Sequence, residues 1–380
     1  MHNNKITISS AWVFRTASGE LCEPVLLHLL ENIRETGKLT SAAAAAGISY
    51  RHAWNLLKRS TEIFGLPLVE MQKGQGSSLS VLGEKLLWAD QKIKARLKPQ
   101  IESMTSELND QIQQLLAGTQ PMLRLHASHG YAVALLPEFA DQVQINLQYR
   151  NPEEAISALN RGECDLASFH VPTDPLLAQQ VLNHYQHLLQ DEKHQVIRFV
   201  TRSEGLILRK GSHDRIRTLQ DLSREKLSFI GRDRHSGTRI LFHLLLKQQG
   251  LAEDSINRTS QHELTHTAVA AFVASGMADA GFGVKAAADQ FGLNFIELAR
   301  EHYLLLFRKD RISPATLGPL LNLIRSQPFI QRIHEVPGYA PDNPGEITTL
   351  TQLIAENNQP LLEAVAPAVP GPARYRRRPL

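Results

Sequence analysis

The spacing of apolar positions changes along the chain, and each change marks a part. Leu26, Leu27, Leu29, Leu30 and Ile33 recur at helical spacing, and Gly37 supplies a stop after them. Before them, the segment 5–14 mixes Ile, Thr, Trp, Val and Phe with polar residues, which predicts a strand turning back through Ser18 and Gly19. Thr40 or Ser41 is placed to cap a short helix through the alanine run 42–46. Gly47 turns the chain, and Ser49 opens the next helix by offering its hydroxyl to a free backbone N–H. At about 100° per residue, Ala53, Leu57 and Phe64 share the inner face of that helix, flanked by Trp54 and Leu56. Arg51, Asn55 and Lys58 lie opposite, with His52 and Arg59 alongside. Two short strands, 66–71 and 78–82, then flank a loop rich in Gly and Ser.

Beyond Gly83 the apolar residues Leu86, Leu87, Ile93, Leu97, Ile101, Met104, Leu108, Ile112 and Leu115 step mostly by three and four, which predicts a helix ending near Gly118. At about 1.5 Å per residue it spans roughly 50 Å. Two readings follow: a two-stranded dimer seam, or a helix packed on its own amino-terminal domain. Pro99 lacks an N–H and crowds the preceding turn, so a kink or break is expected at 96–99.

From Met122 short apolar runs alternate with helical ones. Strands are expected at 122–127, 143–149, 165–171, 204–210, 226–231, 278–284 and 293–299, and helices at 131–141, 153–161, 237–249, 267–275 and 314–326. Alternation of this kind predicts an α/β domain with mainly parallel sheets. Ligands in such domains sit beyond the carboxyl ends of strands, where helix N-termini present free N–H groups. That principle selects Ser128 and His129 after the first strand, Ser236, Gly237, Thr238 and Arg239 at the start of a later helix, and Thr265 and His266 at another. Hydroxyls, free N–H groups and the cations Arg232 and Arg239 suit an oxyanion or phosphate-bearing ligand.

Charge sharpens the first part. The net charge of +3 over 380 residues is too small by itself to mark a nucleic-acid binder. Its distribution is more telling: Arg51, Lys58, Arg59, Lys73, Lys85, Lys92, Lys94, Arg96 and Lys98 face only Glu62, Glu70, Glu84 and Asp90, a local positive surface that attracts phosphates. Cys22 and Cys164 lack a partner motif, so neither a disulfide framework nor a zinc site is expected. His129, His170, His235 and His266 form no local metal-ligand pair, and no metal is expected. The amino terminus has no export core and no run of roughly 18 apolar residues occurs, so the expected location is the cytoplasm, without membrane contact.

The run GISYRHAWNLL, followed by PLVEM, KGQGSS and SVLGEKLL, resembles the winged helix of ModE-type molybdate-responsive regulators and, more distantly, LysR-type DNA-binding domains. The likeness covers about 6–101. It implies contacts to double-stranded DNA from Ser49, Tyr50, Arg51, Asn55 and Lys58 on the helix and from Lys73 and Ser77 on the wing, with Tyr50 nearest the buried side. His52 and Arg59 join them on helical position alone. A second likeness, carried by FIGRDRHSGTRILFHLLL and the segment 262–298, is to the periplasmic-binding-protein-like domain fused to winged helices in bacterial regulators. It covers about 123–333 and implies two lobes hinged about a cleft. The paired molbindin-like domains of the best-known molybdate regulator have no counterpart here, so the effector is left among molybdate, tungstate, a molybdenum-cofactor species such as a molybdopterin-type ligand, and other small anions.

The expected fold is α/β overall: an α+β winged helix-turn-helix over 1–82, a linker and dimerisation helix over 83–118, a two-lobed, type II periplasmic-binding-protein-like domain over 119–336, and a mostly irregular tail over 337–380 whose Arg374, Arg376, Arg377 and Arg378 attract phosphate without specificity. The expected function is a homodimeric one-component transcription regulator with no bound cofactor, sensing a small anion. The alternative is an α/β enzyme acting on an anionic pterin or phosphorylated metabolite, although no nucleophile elbow, Walker loop or dinucleotide fingerprint occurs.

Overall fold

The computed structural model describes residues 14–15, 19, 21–72, 76–115, 122–212, 215–224 and 227–358. Strand β1 (Phe14–Arg15) pairs antiparallel with β2 (Leu21–Cys22). Most of the strand expected over 5–14 lies outside the described residues, as do Lys73 and the arginines of the tail. Helix α1 (Val25–Thr36) ends at Gly37, whose φ of 64° lets its N–H reach the Ile33 carbonyl in a left-handed cap. Helix α2 (Leu39–Ala45) starts after Lys38, not after Thr40 or Ser41. Burial of Leu39 fixes that start and leaves both hydroxyl residues exposed. Helix α3 (Tyr50–Phe64) opens as expected, with the Ser49 hydroxyl accepting from the His52 N–H at 3.1 Å. Ala42, Ala43 and Ala53 let the three helices close over Leu26, Leu29, Leu30 and Ile33. Strands β3 (Val69–Gln72) and β4 (Gly76–Leu79) form the two-stranded wing.

Helix α4 (Val81–Leu115) runs for 35 residues, about 50 Å. It is capped by Ser80, whose hydroxyl accepts from the Gly83 N–H at 3.1 Å and donates to the Pro67 carbonyl at 2.6 Å. A Cβ on Gly83 would lie 2.1 Å from the Leu68 carbonyl oxygen, so only glycine permits this approach of helix to wing. The break expected at 96–99 does not occur, because Pro99 sits inside a continuous helix. Its missing N–H frees the carbonyl four residues back, that of Ala95, and the Thr265 hydroxyl takes up that oxygen at 3.3 Å.

The remaining described chain forms one mixed sheet of ten strands and the helices that cover it. In chain order these are β5 (Met122–Ala127), α5 (Tyr131–Leu135), β6 (Gln144–Tyr149), α6 (Pro152–Arg161), β7 (Leu166–Pro172), α7 (Pro175–Tyr185), β8 (His194–Leu208), α8 (Leu219–Arg224), β9 (Phe229–Arg232), α9 (Gly237–Gln248), β10 (Arg258–Glu263), α10 (His266–Ala274), β11 (Ala280–Val284), α11 (Lys285–Gln290), β12 (Asn294–Arg308), α12 (Pro314–Arg325), α13 (Gln327–His334), β13 (Tyr339–Pro341), β14 (Ile347–Thr348) and α14 (Leu350–Asn358). Their order across the sheet is β10-β9-β11-β8-β12-β7-β5-β6, with β13 and β14 on β8.

The outer strands pair in parallel, as the alternation predicts. The centre does not: β8 and β12, 15 residues each, are antiparallel along their whole length and run through both halves of the sheet. One half pairs with β7, β13 and β14 and the other with β11, so the two lobes share this ribbon. Register shifts at Glu297/Ala299 and Tyr303/Leu304 mark irregularities of the kind that bend a ladder. One lobe buries Phe169, Val171, Leu304 and Leu306 under α6 and α7, and the other buries Leu206, Phe229 and Phe282 under α8 and α9. The protein is therefore a mixed α/β chain with a two-lobed second part.

Candidate functional site

A cavity of about 560 Å³ opens where the carboxyl ends of β5, β6, β9 and β10 face each other. Three helices begin on it. Asn151 caps α6, Ser236 caps α9 and Thr265 caps α10, each by accepting a backbone N–H of its own first turn. The positive ends of three dipoles thus meet at one place. Ser128, His129, Arg232, Ser236, Gly237, Thr238, Thr265 and His266 all line the cavity. Roles within that set differ. The Ser236 hydroxyl faces the Arg239 N–H at 3.4 Å, and the Thr265 hydroxyl is committed to the Ala268 N–H at 3.0 Å and the Ala95 carbonyl. Ser128 and His129 precede a five-residue helix whose cap position is Gly130, so they sit in a loop rather than at a cap.

Arg239 is not in the cavity. It binds Glu253 at 2.6 Å and the Arg232 carbonyl at 3.3 Å, because it lies two residues, about 200° of helix, past Gly237 and so faces away from the cavity. Arg232 is the cation that remains. It is buried, one nitrogen donates to the Leu264 carbonyl at 2.9 Å, and Nε and Nη1 have no hydrogen-bond partner. Both ring nitrogens of His129 and of His170 are also buried without partners. Unsatisfied buried donors on this scale are costly in a closed protein and signal a place that a ligand or water completes.

Sequence reasoning missed the floor of the cavity. Arg202, on β8, binds Glu301 through Nε at 2.7 Å and Nη2 at 2.6 Å, and Glu204 at 3.2 Å. Thr238 also donates to Glu204, at 3.2 Å. Burial opposes the Arg202 charge, but Glu301 and Glu204 outweigh it and hold its pKa above the ordinary guanidinium value. Burial, then Glu301, pushes the Glu204 carboxyl upward against Arg202 and Arg232, while burial pulls Arg232 down despite Glu204. Two buried guanidinium groups, those of Arg202 and Arg232, thus meet at the cavity, and a ligand that carries negative charge is favoured beside them. The available signal was three charged residues, Arg198, Arg202 and Glu204, in a 15-residue strand of which the apolar spacing predicts only the end.

Three cavity imidazoles, those of His129, His170 and His266, are pushed toward the neutral form. Burial, with the positive charges of Lys98, Arg232 and Arg202, lowers the His129 pKa to about 3, and burial beside Arg202 and Arg232 takes His170 and His266 well below their ordinary value. In the unfolded chain these groups titrate near 6.5, so acidification loads protons on the unfolded state first. The stability they confer is complete above about pH 6.5 and drains away as pH falls toward the folded values, by up to about 1.4 kcal/mol per imidazole per pH unit. The melting temperature is expected to drop between pH 7.5 and 5.5, and less steeply in His129→Gln. Equal melting at both values contradicts a neutral cluster.

A second surface lies on α3. Ser49, Tyr50, Arg51, His52, Asn55, Lys58 and Arg59 are all exposed, with His52 Nε2 3.6 Å from Glu23. Trp54, expected at the buried flank, is instead 47 % exposed and stacks on Tyr50 at 6.4 Å between ring centres. It stands one step, about 100°, beyond the buried Ala53. The wing differs from expectation at Ser77. Its side chain is buried and its N–H binds the Gly37 carbonyl at 2.8 Å, so the strand pairing that fixes β4 removes Ser77 from the outer surface. Cations beside hydrogen-bonding side chains on an exposed helix suit a nucleic-acid groove.

A model of the PBP superfamily domain matches residues 135–325. This is half of the chain, which therefore belongs to the PBP superfamily. The chain is 26% identical over 200 residues to the uncharacterised protein YvgK of Bacillus subtilis strain 168, covering 53% of this chain and 64% of that one. It is 29% identical over 148 residues to the molybdenum-pterin-binding protein MopB of Rhodobacter capsulatus, covering 37% of this chain and 54% of that one. The matches thus span between about half and two thirds of those relatives. The crystal structure of CbnR, a LysR family transcriptional regulator, aligns with 79% of this chain and 99% of its own at 14% identity and a TM-score of 0.39. No helix among the described residues is long and apolar enough to cross a membrane.

Proposed function

We propose that this chain is a one-component transcription regulator of the ModE and LysR kind. Residues 1–82 bind double-stranded DNA, 83–118 link and pair two copies, and 119–336 bind a small anionic effector together with 337–358, which do not form the irregular tail expected of them because β13 and β14 join the central sheet and α14 follows. The observation that carries the reading is one continuous helix, α4, joining an exposed basic helix face to a cavity with unsatisfied cationic donors. The name of MopB, which speaks of a molybdenum pterin, supports molybdate, tungstate or a molybdenum-cofactor species as the effector class. Binding rather than turnover fits the cavity, because among the described residues no hydroxyl or thiol is hydrogen-bonded to an imidazole that would activate it.

The test uses the full chain and DNA selected from a random pool. Fluorescence anisotropy with and without millimolar molybdate, tungstate or pterin-6-carboxylate should show affinity changing by about fivefold to a hundredfold with one of them, the usual range of coupling between two sites. Sedimentation should report two chains per DNA site. Failure to enrich any sequence overturns the regulator reading, and DNA affinity indifferent to all three anions overturns the sensing role.

A further inference from the structure

We infer that α4 is a wall of the effector cavity and touches the effector itself, which is an organic anion with a body beyond its charged group. This rests on the cavity being the effector site. Arg96, Pro99, Gln100, Ser103 and Met104 of α4 all line it. The wall is fastened to both lobes. On one side Arg96 binds Glu263 through two nitrogens, at 2.6 and 2.7 Å, and the Thr265 hydroxyl binds the carbonyl that Pro99 frees. On the other side the Ser106 and Ser103 hydroxyls accept the Leu147 and Tyr149 N–H groups of edge strand β6, at 2.8 and 3.0 Å. With a sixth bond, from the Gln148 amide to the Ser103 carbonyl at 3.1 Å, these contacts hold α4 against both lobes between Ala95 and Ser106.

Size and surface set the ligand class. A tetrahedral oxyanion, taken as four water-sized units of about 30 Å³ each, fills only about a fifth of the space. Cavities of several hundred Å³ suit organic ligands. Pro99, Met104, Tyr149, Pro152 and Leu264 present apolar surface that a bare oxyanion cannot use, while Arg232 and three helix N-termini favour negative charge. An anionic group held at Arg232, with a planar body reaching Tyr149 and the Gln100 to Met104 face of α4, uses both. Arg96 is already taken by Glu263 and the other charged α4 residue lining the cavity is Glu107, so α4 offers this body shape and polarity rather than a free cation. The helix that carries the DNA-binding unit then senses the occupied cavity directly.

Pterin-6-carboxylate, which is fluorescent, and tungstate serve as probes on the full chain. Gln100→Trp should fill the space beside the wall and weaken pterin-6-carboxylate at least tenfold, and Met104→Ala about threefold. Both positions are exposed, so folding is preserved. Neither change should alter tungstate binding, and Arg232→Ala should weaken both probes. Pterin-6-carboxylate binding that falls in Arg232→Ala but ignores both α4 variants overturns the wall and leaves the effector cavity standing. Saturable tungstate binding with no pterin-6-carboxylate binding overturns the organic ligand. Binding of neither probe, or binding indifferent to Arg232→Ala, overturns the effector cavity itself.

Discussion

Replacing Arg232 by alanine is expected to weaken anion binding by about thirtyfold to several thousandfold, the ~2–5 kcal/mol that follows truncation of one partner of a buried charged pair. The expectation rests on its two free nitrogens and its burial, which leave it poorly solvated until a ligand arrives. Arg232→Lys should recover only part of the loss, because an ammonium cannot present two fixed N–H groups while keeping the Leu264 carbonyl bond. Removing the cation also raises the cost of ionising Glu204, whose carboxylate it helps to stabilise. Calorimetric titration of the variant reads the binding, and its melting curve separates that loss from any loss of fold. Wild-type affinity in a folded Arg232→Ala protein moves the site elsewhere.

The second large effect is expected on α3. Arg51→Ala and Lys58→Ala should each weaken DNA binding by about tenfold, and together they should reduce the slope of log affinity against log salt by about 2, one released counterion for each phosphate contact. A base contact from either residue adds about 1–3 kcal/mol of sequence discrimination, visible as relaxed preference at one position. Neither side chain supports the core, which lies on the face of Ala53, Leu56 and Leu57, so fold and oligomeric state should be unchanged. An unaltered salt slope in the double variant removes α3 from the interface. Ser77→Ala is expected to leave DNA binding as it was, since that residue is buried against the Gly37 backbone.

These two surfaces were not equally readable. The α3 face follows from helical angle, and Ser49, Arg51, His52, Asn55, Lys58 and Arg59 stand exposed where it is expected, while Tyr50, expected nearest the buried side, is exposed as well. Angle alone misplaced Trp54, because an aromatic at the border of a buried stripe settles wherever a partner exists, and here Tyr50 offers one in solvent. Ser77 failed for a different reason: strand pairing and the Gly37 carbonyl decide which way β4 faces. In the cavity, residues next to helix starts were found from strand-to-helix punctuation. Arg202, Glu204 and Glu301 were not, since they lie within long strands and meet only when β8 and β12 pair in register.

What the sequence determined by itself is local: the glycine cap after α1, the serine start of α3, the basic outer face, the wing, and the alternation that makes parallel outer strands. Each depends on residues within a turn or two, where dihedral preference and periodicity suffice. What only the tertiary structure decided is everything that depends on which distant segments meet. Antiparallel pairing of two 15-residue strands makes the ribbon that both lobes share and buries the charged floor. Pro99 predicts a broken helix until the Thr265 hydroxyl, contributed from 166 positions further along the chain, takes the carbonyl it frees and lets α4 pass unbroken over the cavity.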